Sequence, residues 1–227
     1  MLRIRSVVVW GAAVVATLAS GAVLADDGPG RVALGVKGSS LGVGADLTIG
    51  VVKSLNVRLN GNVFKLNRTV KISDIDYDGT VDLKSALALL DFHPGGAGFR
   101  ISVGGGWTGN KIDGSTPKTG TFVVNGVSYD ASQVGRIEGE VKPNSYGLYA
   151  GLGYGNAVAK GSPVKFIFDL GVLYHGEPKV TLTPVAGSST FPAGYLANVA
   201  IEQQKGQDDV SKYKFYPVLS MGLSYRF

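Results

Sequence analysis

Eight charged side chains stand out by position: Asp46, Arg58, Asp82, Lys84, Arg100, Lys165, Asp169 and Arg226. Each falls on the polar side of a segment that alternates apolar and polar residues, so strands would turn them all to one face. Gathered inside a closed barrel, such a set has two possible chemistries. It can line an ion-selective pore, or it can fill the interior as a satisfied salt-bridge network. The network is favoured. Both signs are present, as the cost of an unpaired buried charge requires, and the interior of a small barrel is just wide enough for side chains.

Other chemistry finds little support. The chain has no cysteine, which removes disulfides, thiolate metal sites and cysteine nucleophiles together. Residues 74–79 read Asp-Ile-Asp-Tyr-Asp-Gly, like the start of a calcium loop. The twelfth position, where a glutamate is needed, is Ser85, so a solvated acidic loop is expected. His93 precedes Pro94 in a turn. His175, with Glu177 and Ser145, is the one set from which a rim hydrolase site could be assembled, and no motif supports it. Gly104-Gly105-Gly106 and the alternating Gly151, Gly153 and Gly155 lack the following helix that a dinucleotide fingerprint requires. No basic stripe with interleaved aromatics suggests nucleic acid. Neither a cofactor nor a metal is expected, and the chain reads as non-enzymatic.

The elements that would position the eight charges are strands. Residues 41–51, 55–63, 81–89, 99–107, 146–154, 164–174 and 215–227 each alternate with period two, and 31–37 is a weaker eighth. In segment 81–89 the apolar side is Val81, Leu83, Leu87 and Leu89, interrupted by Ser85. Most of these segments are long enough for a tilted strand to cross an apolar slab. Aromatics gather at the ends of the apolar sides: Phe99 and Trp107, Tyr146 and Tyr154, Tyr174, Phe215 and Phe227. Charged residues make up only 17% of the chain, against roughly 25% in an ordinary soluble domain. The fold expected is all-β: an antiparallel up-and-down transmembrane β-barrel of about eight strands.

Connections alternate in length. Short ones lie at 52–54, 93–98 and 156–163, and long ones at 67–79, 108–144 and 176–213. Short turns belong on the periplasmic side and long loops outside. Residues 193–212 carry helix formers and predict a short helix inside the last outer loop. Residues 179–185 could form a separate strand, which would put the strand count in question. Residues 1–25 have the layout of a cleavable signal peptide: Arg3 and Arg5, an uncharged run, then Val23-Leu24-Ala25. The barrel domain would then be 26–227.

The last segment ends in Leu219, Met221, Leu223, Tyr225 and Phe227 at every second position. It resembles the C-terminal assembly signal of proteobacterial outer-membrane barrels. The stretches 76–94 and 98–100 are similar to a widespread family of small barrels described only as outer membrane proteins. More distantly, the plan is similar to OmpW-like barrels and the OmpA transmembrane domain. The resemblance implies a Gram-negative outer membrane and handling by the barrel-assembly machinery. Contact with membrane lipid and lipopolysaccharide is also implied, in a structural or porin-like passive role. Two further roles stay open: a lipid-modifying enzyme, and an adhesion barrel acting through its long outer loops.

Overall fold

The computed structural model describes residues 31–72, 75–96, 98–185 and 191–227; the leader expected at 1–25 lies outside them. Strands dominate. In chain order they are β1 (Val32–Ser39), β2 (Gly42–Val52), β3 (Leu55–Ile72), β4 (Ile75–Phe92), β5 (Phe99–Thr108), β6 (Lys111–Ser115), β7 (Thr121–Val124) and β8 (Val127–Asp130). Helix α1 (Ala131–Val134), β9 (Arg136–Lys142), β10 (Tyr146–Tyr154), β11 (Val164–Tyr174), β12 (Lys179–Val185), α2 (Tyr195–Val210) and β13 (Phe215–Arg226) follow.

Eight of these close a barrel. Antiparallel pairing runs β1-β2-β3-β4-β5-β10-β11-β13 and returns to β1, where Ala33 faces Arg226 and Ser39 faces Ser220. Closure leaves the barrel strands no free edge. Alternation sets the faces. Phe99, Ile101, Val103 and Trp107 on β5 are exposed on the outside, as are Leu148, Leu152, Phe166, Leu170, Leu219 and Leu223. Phe99 to Trp107 is eight residue steps. At ~3.4 Å each and a tilt of about 40° they rise roughly 20 Å, near the ~25 Å apolar band of such barrels. Aromatic residues mark both limits. Trp107 pairs with Tyr146, and Tyr174 with Phe215, at the end that carries the long connections; Phe99 pairs with Tyr154 at the other.

The outer sheet is the barrel wall continued. β6 pairs with the upper part of β4 in the frame that β5 uses below it, from Thr108 opposite Ser85 to Lys111 opposite Asp82. β9 continues β10 in the same way, from Tyr146 opposite Trp107 to Val141 opposite Ile112. β12 continues β11 against β9, with the frame displaced by one residue. The strand 179–185 therefore exists, yet adds no crossing, and the eight-strand count stands.

Helix α2, within the segment expected to be helical, runs beside β12. The side chains of Gln207 and Gln203 accept hydrogen bonds from the Val180 and Leu182 backbone N–H groups at 2.9 and 2.8 Å. Those donors would otherwise form an open sheet edge. The hairpin β7–β8, α1 and α2 share a second core of Phe122, Val124, Ala131, Val134, Ile137, Tyr195 and Val199. The long connections are thus a folded outer portion with its own packing.

Three expectations are corrected. Leu83, Leu87 and Leu89 do share a face of β4, but it points into the barrel: Leu87 and Leu89 are buried. Ala86, Ala88, Leu90 and Phe92 face out instead, so both sides of this stretch are apolar and alternation cannot orient it. Leu41 also leaves the outer face; at the β1–β2 turn it folds over the lumen beside Leu87 and Leu173. The calcium-loop likeness is corrected too. Residues 75–79 are strand, paired with 68–72 of β3, and not a loop.

Candidate functional site

The lumen is built around one guanidinium. Arg58, on the inward face of β3, is almost completely buried. Its Nε and Nη2 donate to Asp91 on β4 at 2.7 and 3.0 Å. Its Nη1 and Nη2 donate to Asp169 on β11 at 3.2 and 3.3 Å. β3 and β11 are not neighbours, so Arg58 braces the barrel across its bore. Arg100 on β5 holds the same Asp169 through Nη2 at 2.7 Å and Nε at 3.2 Å. Ser102 donates to Asp91 at 2.6 Å and Ser220 to Asp169 at 3.1 Å. Asp46 lies beside the brace. It pairs with Lys37 at 3.2 Å, accepts from Asn60 at 2.7 Å, and sits 3.8 Å from Arg58. A polar ladder climbs from there, Asn62 donating to Asn60 at 2.7 Å and to Ser85 at 2.9 Å.

Charge balances. Lys37, Arg58 and Arg100 face Asp46, Asp91 and Asp169, all six buried. Paired and hydrogen-bonded charges are the form in which a low-dielectric interior tolerates ions. Arg58 meets both oxygens of Asp91 and both of Asp169, the paired geometry that makes arginine–carboxylate contacts strong, whereas Arg100 sets two N–H groups on one oxygen of Asp169.

Two further layers close the bore. Above the brace, Leu41, Leu87, Leu89, Tyr149, Leu173 and Val218 pack into an apolar plug. The space left between plug and brace is about 10 Å³, on the order of one water. Below, the turn after β10 tucks into the mouth, where Ala157 and Val158 pack on Ala33. Asn56 donates to Asn156 there at 3.1 Å.

Of the eight expected lumen charges, Asp46, Arg58, Arg100 and Asp169 meet in this network. Arg226 and Lys165 do not reach it. At the inner rim Arg226 donates to the Ala159 and Gly161 carbonyls, and Lys165 to the Lys160 carbonyl, fastening the turn. Asp82 and Lys84 pair at 3.0 Å on the outward face, beyond the aromatic ring, and not in the lumen. Lys37 and Asp91 were missed. Lys37 was legible, because Val32, Leu34 and Val36 face out on β1 and alternation turns Lys37 in. Asp91 shares the face of Leu87 and Leu89, and was lost with that face.

Of the three residues of the rim hydrolase reading, Glu177 is engaged elsewhere, Ser145 takes part through its backbone, and the buried His175 Nδ1 has no hydrogen-bond partner among the described residues. Glu177 accepts from Gln207 at 3.2 Å and lies 3.6 Å from Lys214, while the Ser145 carbonyl accepts from the Thr108 N–H. His175 is buried at the outer rim, its ring centroid 6.5 Å from that of Tyr216. Among the described residues no cluster of histidine and carboxylate suited to a metal occurs. The five residues expected to signal assembly, Leu219, Met221, Leu223, Tyr225 and Phe227, all stand exposed on the outside of the last strand.

The two faces of the wall exchange character at the outer aromatic ring. Beyond it the outward face carries Asp82, Lys84, Lys111, Asp113, Glu140 and Lys142. The inward face turns apolar, with Val81, Ile112, Val141, Val180 and Leu182. Lys111 pairs with Asp113 at 2.8 Å on the charged side. An apolar cavity of about 380 Å³ opens on the other.

No protein-family model matches the sequence, and no curated protein matches it. Solved structures do match, two of them from one organism. "Acinetobacter baumannii CarO" is 22% identical, with a TM-score of 0.57 over 87% of this chain and 98% of that one. "Acinetobacter baumannii CarO2" is 19% identical, with a TM-score of 0.58 over 88% and 100%. At these identities the likeness is one of architecture: this chain folds as the same kind of closed eight-stranded antiparallel barrel.

Proposed function

We propose that the chain is an integral outer-membrane protein, exported through a leader cleaved near residue 25. Its barrel is a sealed, non-enzymatic anchor, and its folded outer portion makes the working contacts. The observation that carries this is the Arg58 brace, joined to Asp91 and Asp169 across the bore. A solute would have to break it and part the leucine plug above it. The envelope-structural reading, with recognition by the outer portion, is therefore favoured over a passive channel.

Membrane placement is supported by the apolar belt between two aromatic rings and by the exchange of face polarity at the outer one. Outward lysines and carboxylates beyond that ring suit the phosphates and bridging cations of lipopolysaccharide. The alternating C-terminal strand suits handling by the assembly machinery. Planar-bilayer recording tests the sealed state. The purified barrel should give no discrete conductance steps; regular steps from the native protein would return the role to a channel.

A further inference from the structure

The geometry points to a binding site for an uncharged, apolar small molecule on the concave face of the outer sheet, above the sealed bore. This rests on the outer portion being the working part and says what it takes. The cavity of about 380 Å³ lies within the size range of ligand pockets. Ile112, Ile137, Val141, Val180 and Leu182 supply its apolar lining, and Gly114 and Gly139, opposite one another on β6 and β9, form its floor.

Three features select the ligand class. Charge is sorted away from this face. The acids that border it, Asp78, Asp113 and Glu140, alternate to the other side of the sheet, where Lys111 meets the last two at 2.8 and 3.9 Å. An ionic ligand would find no counter-charge, whereas hydrocarbon gains by leaving water. Second, Ile112 is 51% exposed although it points toward the barrel axis. An isoleucine left wet in a concavity is a contact awaiting a partner. Third, the floor glycines differ from Gly104 and Gly106 of the inward barrel face. At Gly104 and Gly106 a Cβ would run into the Ala88 and Ala86 carbonyls, so close strand approach explains them. A Cβ on Gly114 would meet nothing nearer than the Asp78 carbonyl at 3.9 Å, and one on Gly139 the end of the Leu182 side chain at 3.2 Å and the Gly114 carbonyl at 3.8 Å. Packing within the chain does not require the open floor.

The test is photolabelling of the full barrel refolded in lipid vesicles, with a diazirine-bearing medium-chain alcohol and mapping of the modified residues by mass spectrometry. Lipid-facing Phe166 and Leu170 should be labelled in every sample and serve as the internal control. The native protein should also be labelled at Val141 and Val180, and excess unlabelled alcohol should suppress that labelling. Gly114→Leu, which fills the floor, and Ile112→Glu, which places a charge on the rim, should each reduce it to background while leaving the control unchanged. Labelling confined to the lipid belt would overturn the proposal, as would groove labelling that persists in both variants. Either result leaves the bilayer recording, and with it the sealed-anchor reading, untouched.

Discussion

Arg58→Ala isolates the brace. Native Lys37, Arg58 and Arg100 balance Asp46, Asp91 and Asp169. The variant keeps three buried carboxylates and two cations. Asp91 loses its bidentate partner at 2.7 and 3.0 Å and retains Ser102; Asp169 keeps Arg100 and Ser220. Removing one member of a buried ion pair costs about 3–5 kcal/mol, mostly as the penalty of the charge left behind. With a urea slope of ~2 kcal/mol/M, the unfolding midpoint should fall by roughly 2 M. The assay is reversible unfolding in lipid vesicles, followed by tryptophan fluorescence and by the mobility difference between folded and heated protein on gels. Adding Asp91→Asn and Asp169→Asn to Arg58→Ala removes the stranded charges and should restore part of the loss. The reasoning is refuted if the single variant unfolds within about 0.3 M of the native midpoint, or if the triple variant is no more stable than the single one. The leucine plug does not depend on Arg58, so the variant should remain non-conducting.

Gly104→Val should prevent the folded, heat-modifiable band from forming, because its Cβ meets the Ala88 backbone carbonyl of the neighbouring strand, whereas Gly114→Leu should fold normally. Gln203→Ala with Gln207→Ala leaves the Val180 and Leu182 N–H groups without their side-chain acceptors; hydrogen exchange at those two amides should accelerate, and unchanged protection would show that α2 does not cap the edge. Burial holds the His175 imidazole below its ordinary pKa. The unfolded chain therefore takes up a proton near pH ~6.5, while the folded rim does so only lower. Its contribution is complete above that value and is lost as pH falls through the lowered one, so the pH dependence of outer-rim stability in mild acid should flatten in His175→Gln.

Sequence alone determined the barrel. Period-two alternation, scarce charge, and aromatics at the ends of apolar runs are local properties, and each follows from strands that face lipid on one side. The same alternation sent Asp46, Arg58, Arg100 and Asp169 inward, because their neighbours on β2, β3, β5 and β11 leave no doubt about which face is apolar. On β4 that logic lacked contrast. With alanine, leucine and phenylalanine on one side and leucines on the other, only pairing with β3 and β5 could decide which face meets lipid, and Asp91 and Leu87 were fixed with it. Nor does a local pattern announce where a wall leaves the membrane. Once β6, β9 and β12 extend the strands past Trp107 and Tyr146, water replaces lipid outside, so the rule for each face inverts. Asp82 and Lys84 then belong on the outer surface and Ile112 on the inner. Cross-strand register, which brings distant segments together, is a property of the closed sheet that no single segment carries.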